Sequence, residues 1–210
     1  MTLAPLLLAA ALAAAPSPSA PVTLVGAGAL GPGGAGWLSE VGFPQISITY
    51  AQGLDEWNDL GGVLGIAWTT GEMVPGLVWR RELAGDASSR AGFRLVAGPW
   101  FNFGATWIYA RNEPNLGLLV APGGAWTASA GPGLASILID VPIEWAMQRG
   151  MGVAFAPKLS ASYEAPVVKD VTLGARAGLW VRWATGSAAI PGLDQKLQGE
   201  LVALVTWKVF

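Results

Sequence analysis

Few places in this chain gather residues able to do chemistry. Asp140 and Glu144 are two carboxylates four positions apart in "IDVPIEWAM". On a strand they share one face, separated by about 13 Å at a rise of about 3.3 Å per residue. A shared-proton dyad or a retaining glycosidase pair needs carboxylates far closer than that. Asp55, Glu56 and Asp59 in "LDEWND" offer oxygen ligands without the full spacing of a calcium loop, so a solvated acidic loop is expected there. "GAGALGPGGAG" has glycines spaced as in a nucleotide loop. No strand–helix context and no Lys-Ser/Thr pair accompanies them, and the stretch reads as a flexible segment.

The absences are sharper than these clusters. With no histidine in 210 residues, Ser-His and Cys-His triads, most zinc sites and the commonest general base are excluded. With no cysteine, thiolate catalysis, a disulfide framework and a lipid-modified cysteine are excluded as well. The expectation is a protein that is not an enzyme and carries no cofactor or metal. The net charge is −2 and no basic block or stripe occurs, which argues against a nucleic-acid partner.

The remaining polar residues are set by a period of two. In "VTLGARAGLWVRWATG", Val171, Leu173, Ala175, Ala177, Leu179, Val181 and Trp183 alternate with Thr172, Gly174, Arg176, Gly178, Trp180 and Arg182. Such alternation puts the two sets on opposite faces of a β-strand. The same period runs through 93–109, 135–147 and 151–165, and more weakly through 46–50, 64–68 and 116–120. Turn signals separate the runs. Ten strands are expected, near 22–30, 43–52, 61–70, 73–83, 91–108, 115–128, 133–147, 150–164, 169–184 and 197–210, with eight as the alternative count. The 29 glycines and 15 prolines weigh against helices.

"MTLAPLLLAAALAAAPSPSA" reads as a secretory signal peptide over 1–20. Its apolar run spans Leu3 to Ala15, with small residues suited to cleavage at about 13–20. Residues 21–210 then form a single barrel domain.

Apolar residues make up 52% of the chain and charged residues 12%, about half the charge of an average soluble domain. The mean hydropathy is +0.46. Charge this sparse poorly solvates the outside of a soluble barrel. Several expected strands also exceed the usual soluble length of about 5–6 residues, whereas a tilted membrane strand needs about 9–11. The aromatics Tyr50, Trp68, Trp79, Trp107, Tyr109, Trp145, Tyr163, Trp183 and Trp207 fall near strand ends, as in the interfacial girdles of membrane barrels.

The chain closes on Phe210 after an alternating strand. This ending, with the export signal, resembles the C-terminal assembly signal of small bacterial outer-membrane β-barrels of the porin-like, eight- to ten-stranded class. Here Lys208 and Thr206 are in phase with Phe210, while Trp207, Val205 and Leu201 hold the other register. The resemblance implies an all-β, antiparallel up-and-down transmembrane barrel in the bacterial outer membrane. Its implied partners are outer-membrane lipid, the barrel-assembly machinery and other envelope proteins. With an even strand number both termini lie on the periplasmic side, the 31–42 and 185–196 loops outside and the 53–60 loop inside.

On this reading the lumen carries Arg94, Asp140, Glu144, Lys158, Arg176, Arg182, Glu200 and Lys208. Isolated charges in a narrow barrel are costly, so these should pair into a ladder that fills the lumen. A narrow, weakly anion-preferring path is the sharper alternative, and Trp100 and Trp180 on the same face oppose a wide pore. Three roles stay open: a structural or narrow-channel barrel, an anchor for an envelope assembly such as motility, secretion or adhesion, and a soluble periplasmic lipid-binding barrel.

Overall fold

The computed structural model describes residues 23–86 and 88–209. The signal-like stretch 1–20 and Phe210 lie outside the described residues. The strands are β1 (Ala35–Phe43), β2 (Gln45–Gly53), β3 (Asn58–Ala67), β4 (Glu72–Gly85), β5 (Ser89–Asn102) and β6 (Asn115–Ala130). They continue as β7 (Gly133–Asp140), β8 (Ile143–Ala146), β9 (Gly152–Phe155), β10 (Lys158–Val168), β11 (Val171–Val181), β12 (Trp183–Gly186) and β13 (Leu197–Lys208).

These segments form ten staves of a closed antiparallel barrel. β7 and β8 are two halves of one stave, both pairing with β6. β9 with β10, and β11 with β12, make the next two staves in the same way. Pro142 and Pro157 fall at the first two breaks, where a residue without an N–H interrupts the ladder. β1 pairs with β13 and closes the barrel, which leaves no free edge.

The strand count agrees with the sequence, but the first strand does not. Residues 23–30 form no strand, and the expected outer loop 31–42 supplies most of β1. The N–H groups of Ala27, Ala29 and Leu30 are taken by side chains of Thr127, Glu82 and Asp59, which leaves them none to give a neighbouring strand. The loops 54–57 and 187–196 lie at opposite ends, the former at the end where β1 starts and β13 finishes. That end is called the terminal end below, and the other the far end.

Alternation survives the fold. Leu173 and Leu179 point out, 47% and 55% exposed, while Arg176 between them points in at 3%. Register carries this around the wall. Leu159 lies across from Leu179 and Ala161 across from Ala177, while Ala177 faces Leu201 on the other side. The outer surface is accordingly Val41, Ile46, Ile48, Leu64, Ile66, Leu77, Leu118, Ile137, Ile139, Leu159 and Leu201, all exposed.

Two aromatic rings bound this surface. At the terminal end stand Trp37, Tyr50, Trp79, Phe93, Trp126, Tyr163 and Trp207, with Trp37 against Tyr50 at 4.9 Å and Trp79 against Phe93 at 5.9 Å. At the far end stand Phe43, Trp68, Phe101, Trp145, Phe155 and Trp183, with Phe43 against Trp68 at 5.6 Å and Phe155 against Trp183 at 6.0 Å. Their polar tips reach hydrogen-bond acceptors: the Trp68 indole donates to the Gly42 carbonyl at 2.9 Å and that of Trp126 to the Ser89 hydroxyl at 2.8 Å. Trp107 and Tyr109 depart from expectation, because β5 stops at Asn102 and both lie in the 103–114 loop. Gly104, at φ 70°, turns the chain there, and its N–H donates to the Asn102 side chain at 2.7 Å.

Candidate functional site: the filled lumen

The interior has three layers. The terminal end is stopped by the chain itself. Residues 23–30 run inside the wall, where Leu24 and Val25 pack with Leu38, Ala51, Leu138, Val202 and Leu204. Burying two such side chains contributes about 1.5–3 kcal/mol each. The rest of the grip is on the backbone. Arg80 Nη2 donates to the carbonyls of Thr23 at 2.7 Å, Gly26 at 3.1 Å and Gly28 at 2.8 Å. Asp59 accepts the Leu30 N–H at 2.9 Å and Glu82 the Ala29 N–H at 3.0 Å. The Thr23 hydroxyl donates to Glu164, and the Ala27 N–H to Thr127 at 2.7 Å.

Glycine is required where this plug touches the wall. A Cβ on Gly26 would sit 2.1 Å from Thr127 Oγ1 and 2.3 Å from Ser136 Oγ. Gly28 holds φ 116°, a conformation that side chains resist. The segment read as flexible is thus partly a buried plug and partly the start of β1.

The groups that hold the plug are themselves paired. Arg80 meets Asp59 at 3.1 Å and Arg90 meets Glu82 at 3.1 Å, with all four side chains buried. Asp59 is 0% exposed, so it is not part of a solvated acidic loop. Asp55 is: its carboxylate accepts the Trp57 N–H and the Asn58 side chain in an exposed turn. Those hydrogen bonds hold the Asp55 carboxyl below its ordinary range.

The middle layer is a charge ladder. Arg94 Nη2 donates to Asp140 at 2.7 Å and Lys158 Nζ to Glu200 at 3.3 Å. Arg176 bridges two carboxylates, with Nε 3.0 Å from Glu200 and Nη1 on Glu40. Glu40 also accepts the Ser47 hydroxyl. At the far end Arg182 donates to Glu144 at 2.8 Å, to Asp194 at 2.6 Å and to the Ala188 carbonyl at 2.8 Å. This clamp folds the 187–196 loop inward, with Ala188 buried beside Trp100, Ala146 and Ala154. Ile190 and Leu193 are buried in the same cap.

Asp140 and Glu144 therefore serve different arginines on one stave. Of the expected lumen charges, Arg94, Asp140, Glu144, Lys158, Arg176, Arg182 and Glu200 face inward. Lys208 is exposed at the terminal rim. Sequence reasoning missed Glu40, Asp59, Glu72, Arg80, Glu82, Arg90 and Glu164 as interior groups. Most of these are carboxylates, so the interior is richer in negative charge than the sequence list, and an anion-preferring path does not match it. Phase alone places Arg80 with Glu72, Val74 and Val78 on the inner face of β4.

Between plug and cap lies a cavity of about 260 Å³, running from Leu24 to Leu193 and lined in part by Trp100 and Trp180. Among the described residues, no group of His, Cys, Asp or Glu is placed to hold a metal ion. No family model, curated protein or solved structure matches the chain.

Proposed function

We propose that this chain is an integral outer-membrane β-barrel whose lumen is closed by its own N-terminal segment and far-end loop, and that its role is structural rather than catalytic. The observation that carries the reading is the inverted distribution of polarity. Leucine, isoleucine, valine and tryptophan surround the outside, and buried ion pairs fill the inside. Water on the outer face would leave a continuous apolar belt solvated, whereas soluble monomers rarely expose apolar patches beyond a few hundred Å². A bilayer makes the same belt favourable.

The dimensions agree. From Val171, beside Trp207 in one ring, to Trp183 in the other, a strand rising about 3.3 Å per residue at a tilt of about 40° spans about 30 Å of height, close to a hydrocarbon core. The longer loops, 103–114 and 187–196, sit at the far end, and the turns at the terminal end are short. That asymmetry is the one membrane barrels show between outer surface and periplasm. The partners implied are outer-membrane lipid, the barrel-assembly machinery and, for an anchoring role, other envelope proteins.

Envelope fractionation with gel mobility before and after heating tests the proposal. A folded, heat-modifiable band in the outer-membrane fraction is expected. Recovery as a soluble periplasmic protein would overturn the membrane reading in favour of a soluble barrel.

A further inference from the structure

We propose that the cavity between plug and cap is a binding site for a small organic cation with an apolar body. The cavity is two-sided. Val63, Val74, Val78, Val96 and Leu119, from β3 to β6, give one wall most of its apolar lining, with Glu72, Arg80 and Arg94 of the same strands as its charges. Glu40, Asp140, Glu144, Lys158, Arg182 and Glu200 make most of the other. A ligand that fits must offer an apolar flank and a polar one.

The sign of the polar part follows from which wall charges are already matched. Every cation lining the cavity has a carboxylate partner: Arg80 with Asp59, Arg94 with Asp140, Lys158 with Glu200 and Arg182 with Glu144. Glu40 and Glu200 share Arg176. Glu72 differs. Its Oε2 accepts the Thr70 hydroxyl at 2.6 Å, its Oε1 makes no hydrogen bond, and among the described residues it forms no salt bridge. An anion entering this space would find the Trp100 indole and Arg182 Nε donors unpartnered but no cation without a carboxylate, and it would meet the carboxylates of Glu40, Glu72, Asp140, Glu144 and Glu200. A cation would give Glu72 the direct ion pair that it lacks. Trp180 lines the same space, and aromatic rings attract ammonium groups more than anions. The volume of about 260 Å³ suits a ligand of one ring and a small head.

The site belongs to the interior and does not depend on whether lipid or water bathes the outer face. Its test therefore reads separately from fractionation. The full barrel, in vesicles or in buffer as fractionation dictates, is titrated calorimetrically with three probes that share a phenyl body: benzyltrimethylammonium, benzyl alcohol and phenylacetate. Saturable binding of the quaternary ammonium is expected, with phenylacetate weaker by at least about tenfold. Glu72→Gln should lower the ammonium affinity by about tenfold and leave heat-modifiable mobility unchanged. Equal binding of the three probes, no binding of any, or an unchanged affinity in Glu72→Gln overturns the assignment. If Glu72→Gln does not fold, Val74→Phe narrows the apolar side instead. Loss of binding in that folded variant supports the site, and full retention overturns it.

Discussion

Arg80 and Asp59 stand side by side on neighbouring strands β4 and β3, 3.1 Å apart, with Asp59 wholly buried. The pair does more than neutralise itself. Arg80 spends its second nitrogen on three carbonyls of the plug, and Asp59 spends its second oxygen on the Leu30 N–H. One ion pair thus grips a peptide through its backbone donors and acceptors together, whatever its side chains.

Removing one partner should therefore have two effects. Arg80→Ala leaves Asp59 as an uncompensated buried charge, at a cost of about 3–5 kcal/mol in urea unfolding from vesicles. It also frees the plug, so single-channel recordings should show steady current where the unaltered barrel conducts poorly. The double change Arg80→Leu with Asp59→Asn should recover most of the stability and keep the current. Large currents from the unaltered protein would contradict a closed lumen.

Gly26→Val tests the seat itself. Its side chain would collide with Thr127 and Ser136, and overpacking of this kind costs about 1–3 kcal/mol. Either the barrel loses that stability or the segment leaves its seat. Limited proteolysis that begins to cut within 23–30 would mark the second outcome. Unchanged stability with full protection would refute the close contact.

The outer face is tested at Ala177, which lies at mid-strand across from Ala161 and Leu201. Ala177→Arg should cost about 2–4 kcal/mol if lipid meets it there. Leu173→Phe and Leu179→Phe add bulk that fluid lipid accepts and a packed core resists by about 1–3 kcal/mol. Tolerance of both Phe variants with intolerance of the Arg variant is expected in vesicle unfolding. The opposite pattern would remove lipid from this face.

The 54–57 turn should be sensitive to acid. The Asp55 carboxyl is depressed, first by the Trp57 N–H and then by the Asn58 side chain. A depressed carboxyl stabilises the turn above its unfolded pKa, and the effect is lost as pH falls through the folded one. Protection of the Trp57 and Asn58 amides, taken relative to their intrinsic exchange rates, should fall below the ordinary aspartate range. Asp55→Ala should show that loss of protection already at neutral pH.

What the sequence made legible was the outside. Period two is set by burial on one face, and at Leu173, Ala177 and Leu179 it assigned direction without knowledge of neighbours. The inside was legible only in long, clean runs such as 135–147 and 169–184. β1 was hidden because its inward positions include Gly36 and Gly42, so the stretch looks like a loop, and Glu40 interrupts its apolar character. Residues 23–30 misled for the converse reason. "TLVGAGAL" is apolar because it is enclosed, not because it is paired, and composition reports burial without saying by what. The adjacent Arg80 and Arg81 blur the alternation of β4 in the sequence, yet one points in and the other out. Asp59 sat next to two exposed acidic residues, and only its cross-strand partner sets it apart.

The plug also fixes an order of events. β1, the first stave, is joined to β13, the last, and residues 23–30 directly precede β1. The enclosure around them is complete only when that seam forms. The earliest part of the body to be synthesised thus has surroundings that exist last, contributed by residues as distant as Glu82, Thr127 and Glu164. A segment so placed either waits inside a half-curled sheet or threads through the mouth of a finished one. Its glycines and small side chains suit both passages, and a bulky insertion there would delay maturation even where the final barrel could hold it.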